Sequence, residues 1–74
     1  MTKKIWSKLA SSIVKAELAR RDISYDKLQQ KMAEFGIKET ANAINVKINR
    51  GTFSFAFFLQ VMQAIGAHTL RLVD

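Results

Sequence analysis

Hydrophobic side chains recur at helical spacing along most of the chain. Near the N-terminus they fall on one stripe when successive residues are rotated by about 100°, which predicts a first helix over about residues 3–21. The members of this stripe are Trp6, Ala10, Ile13, Val14 and Leu18. Glu17 interrupts it. We expect a partly exposed carboxylate near Arg20 and Arg21 rather than a buried ion pair with a basic residue such as Arg50.

Two serines mark the starts of later helices. Ser24 and Ser54 each follow an apolar residue and precede another by four positions, which is the arrangement of an N-cap with a hydrophobic staple. These signals predict helices over about residues 25–35 and 55–65.

A further helix is expected between these two. Thr40 is the best N-cap for it and predicts a helix over about residues 41–50, with Glu39 as a competing start. Glycine is the usual residue just beyond a helix C-terminus, because it adopts the left-handed conformation without strain. Three helices are therefore expected to end at Gly36, Gly51 and Gly66.

The C-terminal segment from His68 to Val73 alternates weakly, with Leu70 and Leu72 on one side. One interpretation is a short strand that pairs with the same segment of a second subunit, because an isolated two-stranded element is barely stable. A frayed tail is the equal alternative.

Composition narrows the possible functions. The chain has 74 residues, of which 49% are hydrophobic, and this allows one folded domain over residues 1–74. It has no cysteine and one histidine, His68, so neither a thiolate metal site nor a catalytic triad is expected. The glycines are too far apart for a phosphate-binding loop. We expect no enzyme activity, cofactor, metal or small-molecule substrate.

No targeting or membrane-spanning segment is expected. The basic N-terminus lacks the apolar run of a signal peptide, and no stretch approaches the roughly 18 to 20 apolar residues that span a bilayer. The expected location is the cytoplasm.

Charge favours a polyanionic partner. Twelve Lys and Arg against six Asp and Glu give a net charge of +6. Nucleic acid is the first candidate and an anionic membrane surface the second, although a basic surface can also serve solubility alone. The membrane is disfavoured because the basic residues are not set opposite one apolar face.

The segment from Ser24 to Gly51 resembles the Cro and lambda-repressor (XRE-type) helix-turn-helix. The resemblance is carried by Ile23-Ser24, Leu28, Met32, Gly36-Ile37, Ile44 and Ile48-Asn49-Arg50-Gly51. Residues 47–54 are also similar to a little-characterised family of small bacterial helix-turn-helix domains. The resemblance implies an all-α, lambda-repressor-like domain of four to five helices, with the possible C-terminal strand added.

The chain departs from this pattern in two places. The residues Ala33 to Phe35 and Lys38-Glu39 lengthen the second helix or the turn by about three residues. The family commonly has a glutamate two residues before the glycine, which braces an arginine of the first helix, whereas this chain has Asn49 there. The brace is therefore expected to be lost or rebuilt.

The third helix is expected to read bases. Ala41, Ile44 and Ile48 make its buried side, while the outward side is free of carboxylates. Amide, basic and small apolar groups are those that contact base edges in the major groove. The candidate base-reading residues are Asn42, Ala43, Val46, Lys47 and Arg50, and Val46 also suits a protein partner.

Phosphate contacts are expected around the same helix, from its N-terminus and the flanking segments. The candidates are Ser24, Lys27, Lys31, Lys38, Thr40, Asn49 and Thr52.

The fourth helix is apolar over more than half its circumference, which favours self-association. A homodimer suits the motif, because paired helices read two half-sites. The candidate interface residues are Phe55, Phe57, Leu59, Met62, Leu70 and Leu72.

The sequence thus predicts a protein that binds double-stranded DNA sequence-specifically. We expect a small transcriptional regulator that acts as a homodimer and contacts DNA through residues 41–50. The alternative is a protein-interaction or assembly module that retains the fold without reading DNA.

Overall fold

The computed structural model describes residues 3–72. Over these residues the chain forms no strand and four α-helices: α1 (Lys3–Arg20), α2 (Tyr25–Ala33), α3 (Ala41–Arg50) and α4 (Phe55–Ile65). The predicted all-α class is confirmed, with four helices. The bounds of α3 and α4 agree with prediction, α1 ends one residue earlier and α2 ends two residues earlier.

Each predicted N-cap caps its helix. The Ser24 hydroxyl accepts a hydrogen bond from the Lys27 amide at 3.1 Å, and Thr40 accepts one from the Ala43 amide at 3.0 Å. Ser54 caps α4 in the same way. These bonds satisfy amides that have no partner within the first turn, so the helix starts are fixed locally by sequence.

The helix ends use left-handed residues. Gly51 (φ 67°) and Gly66 (φ 72°) follow α3 and α4, as predicted. Gly36 closes the turn after α2, where the Ile37 amide donates to the Met32 carbonyl at 3.1 Å. The end of α1 has no glycine, and Asp22 takes the left-handed conformation there (φ 54°).

The hydrophobic core lies where α1 and α2 pack on α3 and where α4 packs on α2. Its fully buried large side chains come from all four helices, and are Val14, Leu28, Met32, Ile44, Ile48 and Val61. The prediction that Trp6 belongs to the buried stripe is wrong, because its side chain is 55% exposed. The neighbouring Ser7 lies against Gly51 at the end of α3, and Trp6 is turned about 100° away from Ser7 around the helix.

Glu17 is buried, contrary to the prediction of a partly exposed carboxylate. Its two oxygens accept hydrogen bonds from Arg20 and Arg21, each at 2.5 Å, and Arg50 is not its partner. The Arg20 hydrogen bond is the largest cause of a lowered Glu17 pKa; burial opposes this shift and Arg21 adds to it. Arg20 ends α1 and Arg21 follows it directly, so both lie about one turn beyond Glu17 and the local backbone brings the ions together.

Of the two interpretations of the C-terminal segment, the strand does not form over the described residues, because the chain from Ala67 to Leu72 is irregular, with bends at Thr69 and Leu72. Leu70 and Leu72 instead line an apolar groove of about 270 Å³ with Ile13 and Phe58. The groove lies between this segment, α1 and α4. Val73 lies outside the described residues.

Candidate nucleic-acid interface

The helix α3 has one buried side and one open side. Ile44 and Ile48 are completely buried and fix its rotation about its own axis. The open side carries four of the predicted base-reading residues, all of them exposed: Asn42, Val46, Lys47 and Arg50. Ala43 is half-buried. The structure therefore brings the predicted group together on one helical surface.

Val46 is the apolar member of this surface, and 42% of it is exposed. It lines a small cavity of about 210 Å³ with Lys47, Arg50 and Thr52. The methyl groups of Val46 therefore lie near the basic groups of Lys47 and Arg50 and the hydroxyl of Thr52.

Lys47 has a partner that the sequence reading missed. Its ammonium donates a hydrogen bond to the Glu39 carboxylate, and it lies 5.0 Å from the centroid of the Phe57 ring. No carboxylate lies within α3, yet one from the preceding turn neutralises its central lysine. The spacing of eight residues between these groups is not a within-helix spacing, so helical periodicity could not reveal the pair.

The side chain of Asn49, a predicted phosphate contact, already makes hydrogen bonds within the protein. Its amide nitrogen donates to the Asn45 carbonyl oxygen at 2.8 Å and to the Asn45 side-chain oxygen, and it lies 3.5 Å from the Tyr25 hydroxyl. Because Tyr25 opens α2, this contact links the two helices. The contact is not the family's brace, because its partner lies on α2 and is not an arginine of the first helix.

The predicted phosphate residues are spread around α2 and the two ends of α3. Lys27, Lys38 and Thr52 are exposed, and Lys31 is half-buried. The hydroxyls of Ser24 and Thr40 are exposed but already accept capping hydrogen bonds. Each can still donate its hydroxyl proton to an anion.

A basic cleft between α1 and the end of α3 was not predicted. It measures about 720 Å³, and none of the described residues that line it is acidic. Its polar lining comes from two helices: Ser7, Lys8, Ser11, Ser12 and Lys15 of α1, and Asn49 and Arg50 of α3. The signal in the sequence is the spacing of Lys8, Ser12 and Lys15, which fall on one face of α1.

The apolar surface of α4 is smaller than predicted. Phe57 and Met62 are wrong as interface residues, because they are 6% and 7% exposed within the single chain. They pack into the core beside Val61 and Ile65. The predicted interface residues that are exposed are Phe55 and Leu59 of α4 and Leu70 and Leu72 of the C-terminal segment. Ile5 and Leu9 of α1 are also exposed, and the sequence analysis did not single them out.

Residues 6–70 match the family described as Domain of unknown function (DUF6471). The chain belongs to this family. The matched residues include all of α2, α3 and α4 and the cleft residues Lys8 and Lys15, so the whole candidate interface lies within the DUF6471 domain. Neither a curated protein nor a solved structure matches the chain significantly.

Over residues 3–72, no helix has the length and apolar character needed to cross a membrane.

Proposed function

We propose that the protein is a sequence-specific DNA-binding regulator that acts as a homodimer and reads bases through α3. The observation that carries this proposal is the open side of α3, where an amide, two basic groups and a valine stand together above a fully buried isoleucine pair. These are the groups that contact base edges and thymine methyls. A helix fits the major groove, which is about 12 Å wide.

The arrangement of α2 and α3 supports the same proposal. In the Cro and lambda-repressor type, the second helix of such a pair enters the groove and the first crosses the backbone. Here Asn49 and Tyr25 link the helices. Residues 34–40 connect them, which is longer than the usual turn of about three or four residues, so the angle of docking would be this protein's own.

Homodimerisation is the second part of the proposal. Two copies of α3 would read half-sites about 34 to 36 Å apart, on one side of the duplex. The exposed Phe55, Leu59, Leu70 and Leu72 offer an apolar surface for the contact. A chain of 74 residues also buries little surface alone, so association would add stability.

The second candidate is a protein-interaction module. It is favoured by the exposed Val46 together with the Glu39 carboxylate on Lys47, because a neutralised lysine beside a valine suits a protein surface.

Selection of preferred sequences from random duplex DNA separates the candidates. The proposal predicts enrichment of a short motif repeated with a spacing of about one helical turn. The double variant Lys47→Ala, Arg50→Ala is expected to lose the enrichment while remaining folded by circular dichroism. No enrichment by the unmodified protein, with no duplex binding at low salt, would reject DNA reading and leave the interaction module.

A further inference from the structure

The cleft between α1 and the end of α3 is a second positively charged surface. Lys8 and Lys15 are exposed on its wall, and Arg50 lies at its α3 edge. Within residues 5–72, no carboxylate comes within ion-pair distance of these three cations. By contrast, Lys47 is held by Glu39. The cleft therefore offers positive charge that no nearby carboxylate of residues 5–72 neutralises.

The spacing of the cations fits a nucleic-acid backbone. Lys8 and Lys15 are two turns apart on α1, which places them on the same side and about 10 Å apart along the helix axis. Along the duplex axis the phosphates of one strand advance by about 3.4 Å per nucleotide, so two lysines this far apart can contact different phosphates. Ser12 lies between the lysines, and its hydroxyl is a further donor for a phosphate oxygen.

The cleft also adjoins the surface assigned to base reading. Arg50 belongs to both, because it is exposed on α3 and lines the cleft. A duplex that lies on α3 therefore has its backbone next to the cleft at the C-terminal end of the helix. The predicted phosphate residues Thr40 and Lys38 lie at the opposite end.

We infer that the α1 cleft binds backbone phosphates of the duplex, through the ammonium groups of Lys8 and Lys15 and the guanidinium of Arg50. This inference rests on the proposed function. It extends the DNA contact to α1, which the sequence reading left outside the interface. The two lysines supply affinity and register, whereas base choice stays with α3.

The test measures duplex affinity against salt concentration for the full chain and its variants, by fluorescence anisotropy. The variants are Lys8→Gln and Lys15→Gln, single and combined. Each lost phosphate contact lowers the slope of log affinity against log salt by about 0.9, so the double variant is expected to lose about 1.8. Glutamine keeps a high helix propensity, and circular dichroism checks the fold.

Arg71→Gln is the matched control, because it removes one exposed charge outside the cleft, beside Leu9 and Leu72. It is expected to keep the full slope. If the unmodified protein binds duplex DNA and the double variant keeps its slope and affinity, the cleft inference is overturned and the proposed function stands. If the unmodified protein does not bind duplex DNA, both are overturned. The inference is also overturned if the double variant loses affinity for single-stranded DNA or RNA but keeps its affinity for duplex DNA.

Discussion

The backbone carbonyl oxygen of Ser7 lies 1.8 Å from the position that a β-carbon on Gly51 would occupy. No side chain larger than hydrogen fits there, so α1 passes directly over the end of α3. This contact places Lys8 of α1 and Arg50 of α3 on the walls of the same basic cleft. Gly51 is also left-handed, with φ 67°.

Gly51→Ala is predicted to destabilise the fold by at least about 3 kcal/mol, because it adds left-handed strain and displaces the α1 backbone. Gly66→Ala is the matched control. It has a similar φ of 72° but no atom within 4 Å of the added carbon, so about 1 kcal/mol is expected. Urea unfolding measures both. Equal losses would show that α1 does not press on Gly51.

Glu39→Gln is predicted to tighten duplex binding by up to about fivefold. The variant keeps the shape of the side chain and removes the charge that holds Lys47, and such an exposed pair is worth at most about 1 kcal/mol. Glu34→Gln removes the same charge from an exposed position in the same turn and is expected to change affinity less. Anisotropy titrations compare them. Identical affinities for the two variants would contradict a restraint on Lys47.

Glu17 is predicted to make stability depend on pH in the acid range. Its pKa is lowered in the folded protein, chiefly by the Arg20 hydrogen bond, so its ion pairs contribute stability above the unfolded-chain pKa of about 4.3. That contribution is lost as the pH falls through the lowered folded-state pKa. Urea unfolding between about pH 2 and pH 6 should therefore show a shallower pH dependence in Glu17→Gln. An unchanged dependence would argue against the buried pairs.

Leu59→Glu is predicted to convert the proposed dimer into a monomer, because it places a charge in the exposed apolar surface of α4. Phe35→Glu is the control, since Phe35 is 60% exposed in the turn between α2 and α3. Sedimentation equilibrium at micromolar concentration measures the mass. A monomeric unmodified protein, or a dimer in both variants, would exclude this surface as the interface.

Local signals predicted most of the fold. Ser24, Thr40 and Ser54 fix the helix starts through bonds to nearby amides, and Gly51 and Gly66 fix two ends. Such contacts join residues a few positions apart, so the sequence carries them directly. The buried rotation of α3, with Ile44 and Ile48 inward, follows from periodicity for the same reason.

The predictions that were wrong concern contacts between residues that are far apart in the sequence. Trp6 has the spacing of a core residue, but no other helix within residues 3–72 covers it and it is exposed. Phe57 and Met62 look surplus on α4, yet the core has room for both. The carboxylate of Glu39 on Lys47 and the cleft between α1 and α3 depend on tertiary placement, which periodicity does not encode.

The most direct test of the central claim measures duplex affinity as a function of salt concentration. It compares the unmodified protein with the double variant Lys47→Ala, Arg50→Ala. Each protein is titrated with a duplex recovered by selection and with an unrelated duplex. The account predicts tighter binding to the selected sequence, a steep loss as salt rises, and a double variant that loses the preference together with about 0.9 of the slope, from the phosphate contact of Arg50. Equal binding of both duplexes by both proteins would contradict base reading through α3.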